Sequence, residues 1–130
     1  MRTLMLSGEE YNWIIKHNSK TDNKSSYHIK ARNLLKQLFP ASDIVEEVPI
    51  KIFRAKTLFL DFYIPLFKIA VEVHGQQHYS FSAHFHQNKL NFIEHQKRDR
   101  QKKEWCELNN IKLVILPYNE NLDEWTARIN

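Results

Sequence analysis

Apolar positions recur along this chain at two spacings. Residues 7–18 place Tyr11, Ile14 and Ile15 at helical intervals behind Ser7, with Glu10 three residues on. That pattern predicts a helix opened by a capping box. The polar run from Ser19 to Lys24 reads as a loop. Ser25 or Ser26 then caps a second helix to about Leu38, with Ala31, Leu34, Leu35 and Leu38 on one face and Pro40 after its end. Residues 44–50 read as a strand and 51–56 as a basic hairpin or loop. Residues 57–64 and 67–74 read as two strands joined at Pro65-Leu66, an antiparallel hairpin. A loop from Gly75 to about His84 precedes a long helical pattern over 88–108, carried by Leu90, Ile93, Lys97, Arg100 or Gln101, Trp105 and Leu108. Asn109-Asn110 ends it. Ile111 to Leu116 forms an apolar strand, Pro117-Tyr118 closes it, and 121–129 is a short helix. The expected order is α-α-β-β-β-α-β-α. Three strands form a meander, and the helix after them lets the fourth pair parallel. The fold class is α/β: a mixed sheet of about four strands flanked by helices.

A chain of 130 residues with 42% hydrophobic and 26% charged content reads as one globular domain over 1–130, without repeats or linkers. Its core spans about 25–120, with the helix at 7–18 as an accessory. A net charge of +4, with seven histidines besides, favours a polyanionic partner. The lone Cys106 leaves no internal disulfide or cysteine-rich zinc site and fits a reducing, cytoplasmic compartment. No apolar run approaches the roughly 20 residues that span a bilayer, so no membrane partner is expected. No signal peptide is expected either, because the first apolar stretch meets Gly8-Glu9-Glu10 at once.

Candidate chemistry concentrates in the central hairpin. Carboxylates form strands poorly and are costly to bury unpaired. Yet Leu60-Asp61-Phe62-Tyr63-Ile64-Pro65 and Ile69-Ala70-Val71-Glu72-Val73-His74 each carry one inside an apolar run. By strand alternation Lys68, Ala70, Glu72 and His74 share one face. Phe59, Asp61 and Tyr63 oppose Leu58, Leu60, Phe62 and Ile64. If the polar faces coincide, Asp61 and Glu72 meet and can hold a divalent cation such as Mg²⁺, as metal-dependent phosphodiester cleavage requires. The plainer alternative pairs Glu72 with a surface lysine and leaves Asp61 at an edge. His74 and His78 flank Gly75 and can act as acid or base near neutral pH. His84 and His86 suit a metal, DNA contact or plain exposure. The 88–108 helix carries Lys89, Lys97, Arg98, Arg100, Lys102 and Lys103 among acidic residues. It is either a solvated face with i,i+4 pairs or a phosphate-binding face, with Asp99 turned toward the site to hold a histidine.

Taken in order, Leu60 to Pro65, Ile69 to Tyr79 (with Glu72, Gly75 and His78), Arg98-Asp99-Arg100-Gln101-Lys102 and Asn110 to Tyr118 resemble the Vsr-like branch of the PD-(D/E)XK, or restriction endonuclease-like, nuclease superfamily. Within it the chain looks most like the EDxHD homing endonucleases and their small phage and bacterial relatives. The resemblance covers about residues 25–120. It implies Mg²⁺- or Mn²⁺-dependent cleavage of double-stranded DNA. Carried over by position, Asp61 and Glu72 are metal ligands and His78 is the catalytic histidine. Asp99 is the later acidic residue and Lys102 the basic residue one turn on. Relatives often have Glu in the first core helix, where this chain offers His28, and Asp before the Gly, where it has His74. The superfamily's lysine after the strand carboxylate is absent, since Glu72-Val73 leads to His74. The Vsr mismatch nickases themselves are less similar, because they carry a cysteine-containing zinc site. Lys89, Lys97, Arg98, Arg100, Lys103, His84 and His86 are the expected DNA contacts. Sequence specificity then comes from loops, the N-terminal helix, a homodimer or a partner. The competing expectations are a non-catalytic nucleic-acid-binding module with this fold, and an RNA nuclease.

Overall fold

The best-marked helical stretch forms as its pattern predicts. In the computed structural model, which describes residues 2–16, 24–76 and 89–130, helix α1 spans Ser26–Leu38. Ser25 caps it, its side chain accepting the His28 N–H at 3.2 Å. His28, Ala31, Leu34 and Leu35 form the buried face, and Pro40 blocks continuation. Four strands follow the helix among the described residues: β3 (Val45–Phe53), β4 (Lys56–Ile64), β5 (Ile69–His74) and β6 (Lys112–Pro117). They form one sheet in the order β3-β4-β5-β6. The first three are antiparallel neighbours, and β6 runs parallel to β5. Helix α2 (Lys89–Leu108) lies between β5 and β6 in the chain, as the crossover requires, and α3 (Leu122–Ile129) closes it behind an Asn121/Glu124 capping box. The architecture is a four-stranded mixed sheet with three helices among the described residues. None of these helices is long and apolar enough to cross a membrane.

The N-terminal expectation is corrected. Residues 7–16 contain no helix. Strands β1 (Arg2–Leu4) and β2 (Glu10–Asn12) pair antiparallel instead, and residues 17–18 lie outside the described part. Gly8, at φ 91, turns the chain while its N–H donates to Met5 O. Ser7 accepts the Glu9 N–H rather than capping a helix, and Glu10 pairs across the strands with Arg2 at 2.6 Å. Tyr11 and Trp13 then follow a period of two. The Tyr11 hydroxyl accepts the Lys51 N–H, and the Trp13 indole donates to Pro49 O at 2.8 Å. Asn109 clamps this hairpin to the end of α2, exchanging hydrogen bonds with both backbone groups of Leu4. Of the hairpin or loop expected at 51–56, the structure has the hairpin: β3 and β4 pair antiparallel across the Arg54-Ala55 turn. Helix α2 forms where its pattern places it, with Gln101, Trp105 and Cys106 buried and Leu90 and Ile93 exposed.

Two apolar clusters lie on opposite faces of the sheet. One holds Val48, Ile50, Ile52, Leu58, Leu60, Tyr63 and Ala70 with Trp13, Trp105 and Cys106. The other holds Phe62, Ile64, Ile69, Val71, Val114 and Leu116 with Ala31, Leu34, Leu35, Trp125 and Ile129. Leu58 and Leu60 therefore pack away from Phe62 and Ile64, although plain alternation puts all four on one face. The switch falls where the β3–β4 register runs Glu46↔Phe62 and then Val48↔Leu60, stepping over Glu47 and Asp61. Glu47 sits there in the left-handed region at φ 51, a conformation that costs on the order of 1–3 kcal/mol for a residue with a Cβ. Both strands change face together at this level, which frees Glu47 and Asp61 from the sheet's hydrogen-bond ladder.

Candidate metal centre

The β4–β5 ladder pairs Ile64 with Ile69, Tyr63 with Ala70 and Phe62 with Val71. One step further Asp61 faces Glu72, and there side chains replace the backbone ladder. The Asp61 N–H donates to Glu72 Oε2 at 2.6 Å, and the Val73 N–H donates to Asp61 Oδ2 at 2.8 Å. Each carboxylate thus accepts a backbone donor of the opposite strand, so the strands part without orphaning those groups. Lys102 reaches down from α2 and donates to Glu72 Oε1 at 2.6 Å. Glu72 is buried and Lys102 largely so. This pair is not the surface lysine contact of the plainer alternative. Asp61, Glu72 and Lys102 are brought together as expected, although the regular face alternation that suggested it is broken at Asp61.

The charges in this cluster are strongly interdependent. Burial, and then the Glu72 carboxylate alongside, hold the Asp61 carboxyl well above the usual carboxylate range, against the opposing pull of Lys102 and the Val73 N–H. Burial works to lower the Lys102 ammonium, but Glu72, followed by Asp61, outweighs it and holds Lys102 above its ordinary value.

A third side is built from α1 and β3. One ligand atom each from His28, Glu47 and Asp61 lie within 4.8 Å of one another. His28 is buried and stacks on the Phe62 ring at 4.4 Å between centroids. Its Nε2 lies 2.8 Å from Glu46 Oε1. Arg32 grips the same carboxylate through Nε and Nη2, both at 2.8 Å. Burial acts to raise the Glu46 carboxyl, but its hydrogen bonds to Arg32 and His28 prevail and hold it below the usual range. Lys24 pairs with Glu47 Oε1. A hard divalent cation takes oxygen donors and tolerates an imidazole nitrogen. Two carboxylates and a histidine at this separation match such a donor set.

The remaining expected residues are placed less evenly. His74, buried at the end of β5, has its Nε2 4.0 Å from Asp99 Oδ1, so Asp99 does turn toward a histidine. Lys89, Lys97, Arg100 and Lys103 are exposed on α2, and Arg98 is half-buried. Arg100 lies about 200° around the helix from Lys102, at roughly 100° per residue. The outer basic residues and Lys102 therefore address different surroundings. His78, His84 and His86 lie outside the described residues. Sequence reasoning missed Glu46, Glu47 and Arg32. The signal that exposed Asp61 and Glu72, a carboxylate inside an apolar strand, was also present in Val45-Glu46-Glu47-Val48.

Comparison with known proteins finds viral relatives. The chain is 46% identical over 59 residues to Uncharacterized protein 307L of Invertebrate iridescent virus 6, a match covering 45% of this chain and 30% of that protein. It is 36% identical over 65 residues to Uncharacterized protein 033L of Invertebrate iridescent virus 3, covering 50% of this chain and 34% of that protein. The chain thus spans about a third of the length of the relatives it matches. No family model and no solved structure matches it.

Proposed function

We propose that this chain is a metal-dependent endonuclease domain that hydrolyses phosphodiester bonds in double-stranded DNA, with a restriction endonuclease-like core. The observation that carries the reading is the parting of β4 and β5 at Asp61 and Glu72. There two carboxylates and Lys102 converge at the end of an otherwise apolar hairpin. Purely structural strands do not need three ionisable groups buried together, since desolvating them is costly. Asp61 and Glu72 hold Mg²⁺ or Mn²⁺. A bound cation of this kind neutralises phosphate charge and makes its water a better nucleophile. Lys102 stabilises charge on the scissile phosphate from the Glu72 side. Asp99 lies beside the ring of His74, Oδ1 to Nε2 4.0 Å, and His78 activates water or assists the leaving group. Lys89, Lys97, Arg98, Arg100 and Lys103 draw in the polyanion. The proposed setting is the cytoplasm, with the target sequence read by loops, a second copy or a partner.

Plasmid DNA tests the reading. Incubated with the chain and Mg²⁺ or Mn²⁺, supercoiled plasmid is expected to convert to nicked or linear forms, and EDTA to stop this. Asp61→Ala and Glu72→Ala should abolish cutting while DNA binding persists or tightens, because each removes a carboxylate facing phosphate. Either variant cutting at the wild-type rate places the site elsewhere. Binding without cutting by the wild-type chain, in both metals, selects a non-catalytic nucleic-acid-binding module. Cleavage of RNA alone selects a ribonuclease.

A further inference from the structure

We infer that His28, Glu47 and Asp61 form a mixed nitrogen–oxygen cation site that selects a first-row transition ion such as Mn²⁺ over Mg²⁺. The inference deepens the reading of Asp61 as a metal ligand, but it depends on metal binding and not on cleavage.

Three features of the structure support it. The ligand atoms come from three separate elements, α1, β3 and β4, and lie within 4.8 Å of one another. The backbone is shaped for this meeting. Glu47 holds a left-handed conformation, and the β3–β4 register steps over it and Asp61. The Glu47 side chain joins the cluster, where it also pairs with Lys24.

The second feature is the support behind His28. A histidine that binds a metal commonly gives its other ring N–H to a carboxylate, which fixes the tautomer and makes the free nitrogen more basic. Here Nε2 lies 2.8 Å from Glu46 Oε1. An ionised carboxylate only accepts, so Nε2 is the donor in this contact, and a neutral imidazole so held offers its lone pair at Nδ1. Arg32, with two bonds to Glu46, holds that carboxylate ionised and in place. Phe62 packs against the ring face. The imidazole is thus held in one orientation by contacts on its edge and its face.

The third feature is the donor chemistry. Mg²⁺ prefers oxygen ligands and keeps several waters, whereas imidazole nitrogen favours first-row transition ions. Replacing one oxygen donor by His28 moves preference toward the latter.

Titration of the full chain with Mn²⁺ and with Mg²⁺, followed by calorimetry and by the Mn²⁺ electron paramagnetic resonance signal, tests the inference without DNA. Mn²⁺ is expected to bind at least about 10-fold more tightly than Mg²⁺. His28→Ala should lose most of that preference, and Glu46→Gln should weaken Mn²⁺ binding by about 10-fold or more, the usual effect of removing a supporting partner. Both effects should spare Mg²⁺ affinity within about 3-fold. If His28→Ala does not fold, a ¹⁴N hyperfine coupling from a directly bound imidazole in the pulsed electron paramagnetic resonance spectrum of the wild-type Mn²⁺ complex gives the same answer. Equal affinity for the two ions, or no such nitrogen coupling, overturns the inference. Mn²⁺ bound through His28 by a chain that leaves plasmid intact keeps this site and removes the nuclease. Plasmid cutting in Mg²⁺ that is indifferent to His28→Ala, with no Mn²⁺ preference, does the reverse.

Discussion

From Phe62 to Ile64, β4 pairs with β5 residue by residue, and its side chains alternate between the two apolar clusters. One residue earlier the ladder stops, and Asp61 and Glu72 bridge the strands with their side chains. The two stretches adjoin, yet they are built on opposite rules. The regular end satisfies its backbone within the sheet and buries only apolar surface. The parted end buries charge, sets Glu47 in a strained conformation and relies on Lys102 and Arg32 to offset the carboxylates. Local agreement among pattern, pairing and packing stabilises a fold, and departures from it tend to gather where function is placed. On the proposed reading, the regular end serves stability and the parted end serves chemistry.

If so, substitutions in the two stretches should produce crossed effects. Trp125 is fully buried in the cluster of the regular end, and its indole donates to Pro117 O at 2.8 Å. Trp125→Ala should cost about 3–5 kcal/mol of stability while leaving the cleavage rate per folded molecule near wild type. Asp61→Asn keeps an acceptor for the Val73 N–H but removes a charge that burial and Glu72 both oppose. It should raise the melting temperature of the metal-free chain by a few degrees, and lower single-turnover cleavage on the order of 10³-fold. Thermal melts in EDTA, set beside single-turnover rates, check both arms. An Asp61→Asn chain that is as unstable as Trp125→Ala shows that the parted end is merely packing.

The same contrast explains what the sequence revealed. Where local and tertiary preferences agree, the elements could be read directly: α1 behind Ser25, the β4–β5 hairpin, α2, and β6 with its parallel pairing. At the N-terminus, Tyr11, Ile14 and Ile15 fit a helical period, but Gly8 and the docking of Tyr11 and Trp13 on β3 favour a hairpin. Tertiary contacts outweighed a weak local pattern there. In α2 the spacing marked the helix but not its buried part, which is Gln101, Trp105 and Cys106. Asp61, Glu72 and Lys102 were legible because charge inside apolar strands is conspicuous. Glu47 was not, since its part in the cluster depends on a face switch that no alternation pattern foretells. His28 was picked out by position, but its Glu46–Arg32 support is a long-range arrangement across two elements.

A smaller separation is expected between two lysines of α2. Lys102 neutralises Glu72 at the parted end, whereas Lys89 is exposed at the first residue of the helix. Lys102→Met should reduce cleavage at saturating DNA by about 10²-fold. It should also lower stability by up to about 3 kcal/mol, because Glu72 is left buried without its cation. Lys89→Ala should leave that rate unchanged, weaken binding modestly and make the log–log salt slope shallower by about one. Single-turnover rates and binding isotherms at several salt concentrations distinguish them. Matching profiles for the two variants reduce α2 to a general basic surface.

The smallest effect is expected at Cys106, which lies behind the parted end and within the apolar cluster with Trp105. Burial, then the nearby Glu72 carboxylate, push its thiol from about 9.0 up to about 12. A thiol that holds its proton more tightly when folded than when unfolded binds more protons in the native state at alkaline pH, so stability falls as pH rises. The contribution is fully present below about pH 9 and is lost progressively between about pH 9 and pH 12. The decline from this group is about 1.4 kcal/mol per pH unit at most. Cys106→Ala, measured by urea unfolding from pH 7 to pH 10.5, should flatten that decline. At pH 8 the wild-type thiol should react with a soluble disulfide reagent only as fast as the chain opens, because reaction needs the exposed thiolate. Urea below the unfolding midpoint should then accelerate labelling in proportion to the opened population. Labelling at the rate of a free cysteine, without urea, means that the cluster behind Glu72 and Lys102 opens on its own. The parted end would then lack the firm backing that its buried charges require.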